Sequence, residues 1–246
     1  VLIFLALSIM SLGDVALASE TFQTSVDLLK AIGDQWGQAY ALSNYAEILL
    51  MVGEMGAARM SCEDGWHLWQ RVGDTWGEGN HLCTLGSVEW YDGNDALSRT
   101  HLEQSVELLR RHSDRWGLAR ALNRFGFTLM DLKEVARAQD CFAESLDLWR
   151  SMGNQRGIVH CLIGFGGVAA HSGHPARSAQ LLGAVENLSR EALYIAFGID
   201  RARYERTLEA ARLHVAETIW QHAFESGQRM TIDEAITLAL EHEPHD

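Results

Sequence analysis

Apolar and small residues return along this chain at a step of 40, without insertion, over about residues 1–190. One large column runs Leu2, Leu42, Leu82, Leu122, Leu162; three residues on come Leu5, Tyr45, Leu85, Phe125, Phe165. The next position is always small: Ala6, Ala46, Gly86, Gly126, Gly166. Large, large, small at i, i+3, i+4 is one face of an α-helix. A turn column follows (Gly13, Gly53, Gly93, Lys133, Gly173), with Asp14, Glu54, Asn94, Glu134 and His174 beside it at N-cap positions. A second helix then carries small residues at Ala18, Ala58, Ser98, Ala138 and Ser178. Its mostly large column is Phe22, Cys62, Leu102, Phe142 and Leu182. Small residues again occupy Ser25, Gly65, Ser105 and Ser145, and the spacing predicts a buried leucine column at Leu28, Leu68, Leu108, Leu148 and Leu188.

The helix pairs are joined by a recurring pentapeptide: GDQWG at 33–37, GDTWG at 73–77, SDRWG at 113–117 and GNQRG at 153–157. Gly33, Gly73, Ser113 and Gly153 are expected to end one pair, and Asp34, Asp74, Asp114 and Asn154 to cap the next. Trp36, Trp76 and Trp116 are expected to cover the junctions, and Arg156 breaks that series. A helix pair cannot bury its apolar face alone, so the pairs stack. The fold class read from the sequence is all-α, a right-handed superhelical solenoid of helix pairs. It has a partial unit at 1–32 and units at 33–72, 73–112, 113–152 and 153–190. A helical C-terminal cap follows at 191–246, with helices near 200–214, 215–226 and 231–242. Gly77, Gly79 and Gly86 fall in one first helix, and each interior glycine costs about 0.5–1 kcal/mol relative to alanine. That helix is therefore expected to be the least protected in hydrogen exchange.

Composition agrees with helices and narrows the function. Two prolines in 246 residues leave long helices uninterrupted. The net charge of −13, with no run of Lys and Arg, excludes a phosphate-backbone contact by this segment. Cys62, Cys83, Cys141 and Cys161 show no C-x-x-C spacing and read as free thiols of a cytoplasmic protein. The opening VLIFLALSIM lacks a basic n-region and is too short to span a bilayer. The register places it as the first helix of a truncated unit, so the chain reads as the C-terminal piece of a longer one. Exposed apolar residues there would permit homo-oligomers.

The large–small pairing and the steps of four and three resemble the tetratricopeptide repeat (TPR) over about residues 1–190. Two departures stand out: the period is 40 rather than 34, and Gln70, Arg110, Arg150 and Arg190 stand where a helix-ending proline is usual. The second helix is accordingly expected to run longer. The tail carries Y-E-R-x-L at 204–208 and G-x-x-M-x-x-x-E-A-I-x-x-A-L at 227–240. With its "LLGA" segment it resembles the closing part of bacterial STAND and LuxR-type ATP-dependent transcriptional regulators. The resemblance implies a non-catalytic sensor or scaffold arm behind an upstream ATPase module, in a chain for signal transduction and transcription regulation. No G-x-x-x-x-G-K-[ST] occurs in these 246 residues. A stand-alone peptide-binding adaptor and, with less weight, a metal-dependent enzyme are the alternatives.

Candidate chemistry is sparse. His171 and His174 straddle an inter-helix turn near His160 and Cys161, a loose fit to zinc spacing, and are not assigned as a metal site. GFGG at 164–167 lacks the strand and lysine of a phosphate loop. No nucleophile, cofactor site or catalytic residue is assigned. The resemblance places binding on the concave face lined by the first helices, where the expected residues are Tyr40, Ser43, Asn80, Cys83, Trp90, Arg120, Asn123, Phe127 and His160. Aromatic, amide and guanidinium groups on one surface suit a protein or peptide, or a small polar effector.

Overall fold

The computed structural model describes residues 1–12, 14–190, 198–213 and 215–241. Among them are thirteen helices, which follow the predicted register. The pairs are α1 (Leu2–Ser11) with α2 (Val15–Ala31), α3 (Gln35–Val52) with α4 (Met55–Val72), and α5 (Thr75–Tyr91) with α6 (Asp95–Arg111). They continue as α7 (Arg115–Asp131) with α8 (Val135–Ser151), and α9 (Gln155–His171) with α10 (Pro175–Arg190). The cap region holds α11 (Gly198–Arg212), α12 (Glu217–Gly227) and α13 (Ile232–Leu240), close to the predicted bounds; its first residues, 191–197, lie outside the described ones. The second helices continue one or two residues past Gln70, Arg110 and Arg150, less than the further turn expected from the missing prolines.

The chain divides into two compact units: 1–121 with 197–199, and 122–196 with 200–246. The division falls inside α7, while the sequence boundary at 190 marks where the repeat register stops. In the first unit, α2 packs on both α1 and α3, α4 on both α3 and α5, and α3 also meets α5. In the second, α9 packs on α8 and α10, and α10 lies against α12 and α13.

The turns form as expected. Gly33, Gly53, Gly73, Gly93, Gly153 and Gly173 all take positive φ, and Ser113 and Lys133 do so without being glycine. Predicted turn residue Gly13 lies outside the described residues. The residue after each positive-φ position except Gly73 returns its N–H to the preceding helix, as Asp34 does to the Leu29 carbonyl at 3.0 Å, while Gly73 itself donates to the Trp69 carbonyl at 2.8 Å. Asp34, Asp74, Asp114 and Asn154 then cap the next helix, accepting from the N–H of Gly37, Gly77, Gly117 and Gly157. Glu54, Asn94 and Glu134, by contrast, make no side-chain cap bond; Asn94 instead donates to Glu89 at 2.8 Å.

The second-helix columns at Ala18 and Phe22 are fully buried through all five units. The leucine column predicted six residues beyond Phe22 is corrected at four of its five positions; Leu68 alone is buried as expected. Leu28 is 52% exposed, and Leu108, Leu148 and Leu188 are only half-buried. The inward column lies one residue later, where Trp69, Leu109 and Trp149 are buried. The helix turns 100° per residue, so the face containing 22, 25 and 26 continues at 29 rather than 28.

That column explains the last glycine of the pentapeptide at three of its four occurrences; at Gly117 a β-carbon would instead meet Asp114 and Asn80. A β-carbon at Gly77 would lie less than 3.0 Å from the Trp69 ring, and one at Gly157 less than 3.0 Å from Trp149. Gly37 stands in the same relation to Leu29. Gly79 and Gly86 are likewise covered, by Leu108 with Leu109 and by Leu102. The glycines of α5 therefore admit neighbouring side chains, which offsets their low helix propensity and removes the reason to expect weak protection. Gly77→Ala is expected to destabilise the first unit by about 1–3 kcal/mol, where propensity alone predicts a small gain. Urea unfolding followed by tryptophan fluorescence distinguishes the two signs.

Candidate functional site

Three of the nine predicted residues come together on the first unit. Tyr40, Asn80 and Arg120 are half-buried, one on each of α3, α5 and α7, at the same register position. Each has a tryptophan of the pentapeptide four residues before it, one helical turn away. Trp36 stacks on Tyr40 with ring centroids 5.3 Å apart, and Tyr40 stacks in turn on Trp76 at 6.2 Å. Asn80 donates to the Trp76 carbonyl (3.3 Å) and to Asp114 Oδ2 (3.2 Å), and accepts from Arg120 Nη2 at 3.0 Å. The Arg120 guanidinium lies over the Trp116 ring, 4.9 Å from its centroid. Its Nη1 faces Glu47 Oε2 at 3.6 Å, an oxygen that also accepts from Thr84 at 3.2 Å.

The capping aspartates tie this strip to the repeat junctions. Trp36 Nε1 donates to Asp74 Oδ2 at 2.7 Å, and Trp76 Nε1 to Asp114 Oδ2 at 2.9 Å. One oxygen of each aspartate caps its own helix while the other receives the indole of the preceding unit. Burial alone would raise the Asp114 pKa. The Gly117 N–H, Asn80 and Trp76 bonds and the charge of Arg120 outweigh it and hold the carboxyl below the usual range. Trp36 and Trp116 remain 43% and 50% exposed, so the strip presents two indole rings to solvent.

The other predicted residues are placed differently. Ser43, Cys83, Trp90, Asn123 and Phe127 are buried and offer no surface to a ligand as they stand. Ser43 Oγ accepts from Trp69 Nε1 (2.9 Å) and lies 2.8 Å from His81 Nδ1. His81 Nε2 meets the Cys62 carbonyl at 2.8 Å. A carbonyl only accepts, so Nε2 carries the proton, and Nδ1 competes for the single Ser43 hydroxyl proton with the Ala39 carbonyl, 2.9 Å from Oγ. Two units along, Asn123 Nδ2 donates to Cys161 Sγ at 3.6 Å, and Cys161 to Ser145 at 3.3 Å. These two sites hold successive helix pairs together by a buried polar contact at the same offset of 38 residues. Phe127 is covered within the second unit by α11, whose Arg203 lies over its ring at 5.1 Å, and it packs edge-on against Phe142. His160 is half-buried in the second unit.

Burial pushes the Cys161 thiol up to about 12, against the hydrogen bonds to Ser145 and Asn123, so it stays protonated and unreactive at neutral pH. His171 Nδ1 lies 3.0 Å from the Gly167 carbonyl. Among the described residues no three His, Cys, Asp or Glu side chains gather as a metal site would require, and no helix is long and apolar enough to cross a membrane.

Sequence reasoning found the Tyr40, Asn80 and Arg120 register but took the tryptophans only as junction covers, and did not select Glu47 or Thr84. The available signal was the i, i+4 pairing of each tryptophan with the next polar or aromatic position (36 with 40, 76 with 80, 116 with 120). No model of a known protein family matches the chain, and no curated protein matches it.

Proposed function

We infer that this chain is a non-catalytic binding module whose first unit takes a peptide or protein segment along the Trp36–Arg120 strip. The observation that carries this reading is the placement of exposed and half-buried aromatic rings beside amide and guanidinium groups, repeated on three consecutive first helices. Aromatic side chains with an arginine supply contact area and directional bonds at low entropic cost. A surface built from successive helices suits an extended segment better than a compact metabolite, because the contacts are spread along a line.

The repeat columns and the tail extend the proposal. The module is a TPR-like, right-handed superhelical arm of a cytoplasmic, ATP-dependent bacterial regulator, in which occupation of the strip alters packing between helix pairs. The indole–aspartate bonds join ligand-facing rings to helix caps, so a displaced indole disturbs the start of the following first helix. Screening the intact chain against a mixed-sequence peptide array tests binding. Peptides that shift tryptophan emission and lose affinity in Trp116→Leu are expected. Retention of no peptide at all would overturn the binding reading. The regulator assignment is tested in the gene, by whether the reading frame is continuous with a phosphate-loop module.

A further inference from the structure

The charge around the strip narrows the segment it would hold. Residues 1–121 contain sixteen Asp and Glu against eight Lys and Arg, a net of −8. On the first helices of this unit and their caps, the acids are Asp34, Glu47, Asp74, Glu78, Glu89, Asp92 and Asp114, of which Glu89 and Asp92 are paired with Arg59 of α4, and the bases are Arg115 and Arg120. Arg120 is already held by Asn80, Glu47 and the Trp116 ring. Arg71, Arg110 and Arg111 lie on the second helices, where Arg111 pairs with Glu107. The exposed parts of the Trp36 and Trp116 rings, beyond what Tyr40 and Arg120 cover, lie in a negative field, and the quadrupole of an indole face attracts a cation.

The second unit shows what that face accepts. Position 127 belongs to the same column as 47 and 87. The element covering it is α11, which brings Arg203 over Phe127 at 5.1 Å and Arg206 to 3.8 Å from Asp131. Arg203 is almost wholly buried there, 3% exposed. An arginine-bearing helix thus already occupies the corresponding face, with a guanidinium stacked on an aromatic ring and another beside a carboxylate.

We propose that the strip on the first unit binds a basic, arginine-bearing peptide segment, with guanidinium groups stacked on Trp36 and Trp116 and neighbouring carboxylates supplying the charge. This rests on the peptide-binding reading above. The experiment is fluorescence anisotropy on the intact chain with four labelled peptides of one length and spacing, carrying Arg, Lys, Gln or Glu at the variable positions. The Arg peptide is expected to bind about three- to tenfold tighter than the Lys peptide, with Gln weaker and Glu weakest. Affinity should fall as salt rises. Trp36→Leu and Trp116→Leu are expected to reduce the Arg–Lys difference, with helix content checked by circular dichroism. In the unaltered chain the indole N–H resonances of Trp36 and Trp116 should shift on titration, a readout that does not depend on the variants folding. Parity of Arg and Lys, preference for Gln or Glu, or binding that leaves both indoles unmoved would overturn the proposal and leave the peptide reading in place. Failure of all four peptides together with an empty peptide array would remove the reading itself.

Discussion

Gly227→Ala is expected to detach α12 from α10 and destabilise the second unit by more than about 3 kcal/mol, at or beyond the upper end of ordinary overpacking. A β-carbon at Gly227 would lie less than 3.0 Å from the backbone Cα, C and O of Gln180. At the facing glycine, Gly183, it would meet the Phe224 carbonyl at similarly forbidden range. Most tight glycines of this chain face side-chain atoms, which can rotate or tilt. Here the obstructing atoms are helix backbone, so only separation of the two helices relieves the clash. Gly56→Ala is the matched control, because nothing lies within 4 Å of a β-carbon there. It is expected to be neutral or to stabilise by up to about 1 kcal/mol, since α4 loses a poor helix former. Urea unfolding reads both, and hydrogen exchange on α12 and α13 localises the Gly227→Ala effect. Equal and small effects would mean that the α10–α12 crossing is looser than the glycine pair requires.

The second large effect is a loss of first-unit stability in mild acid, traced to His81. Burial lowers its pKa from 6.5 to about 4, opposed by the Cys62 carbonyl and assisted by the charge of His101. The folded state therefore prefers the neutral ring, while the unfolded chain takes up a proton below its own pKa of 6.5. With a depressed folded pKa, the stabilisation is complete above 6.5 and is lost as the pH falls towards 4. By linkage the loss from His81 between pH 7.5 and pH 5 is about 2 kcal/mol. That window lies above the range in which most carboxylates titrate. His81→Gln keeps a donor for the Cys62 carbonyl and removes the titration, so its stability should depend less on pH over the same interval. The His81 ring resonances should stay fixed from pH 7.5 to 5. A ring that titrates near 6.5, or a variant with an unchanged pH slope, would contradict the assignment.

Both effects concern contacts between elements, which is where the sequence was least informative. The 40-residue period, the left-handed turn residues and the capping aspartates were legible because each is a local requirement of backbone geometry. Gly33 must take positive φ, and Asp34 must meet the N–H of Gly37, whatever lies nearby. The Leu28 column was misplaced because one residue of helical phase separates two plausible faces, and only the neighbouring helix selects between them. Trp69 and Trp149 over Gly77 and Gly157 show which face was taken.

The binding surface divides in the same way. Tyr40, Asn80 and Arg120 were recognisable from register alone, since residues one repeat apart occupy equivalent positions. Their i, i+4 tryptophans could have been found by the same rule. That Ser43 and Asn123 would turn inward to His81 and Cys161, and that α11 would cover Phe127, depended on residues 16 to 76 positions away. What the sequence by itself determined was thus the helices, their caps, their turns and their order, because backbone hydrogen bonding and φ preferences act within a few residues. Which polar groups are buried, which aromatics stay open and where glycine is obligatory were decided only in the tertiary structure, because those depend on atoms that the fold brings within a few ångströms.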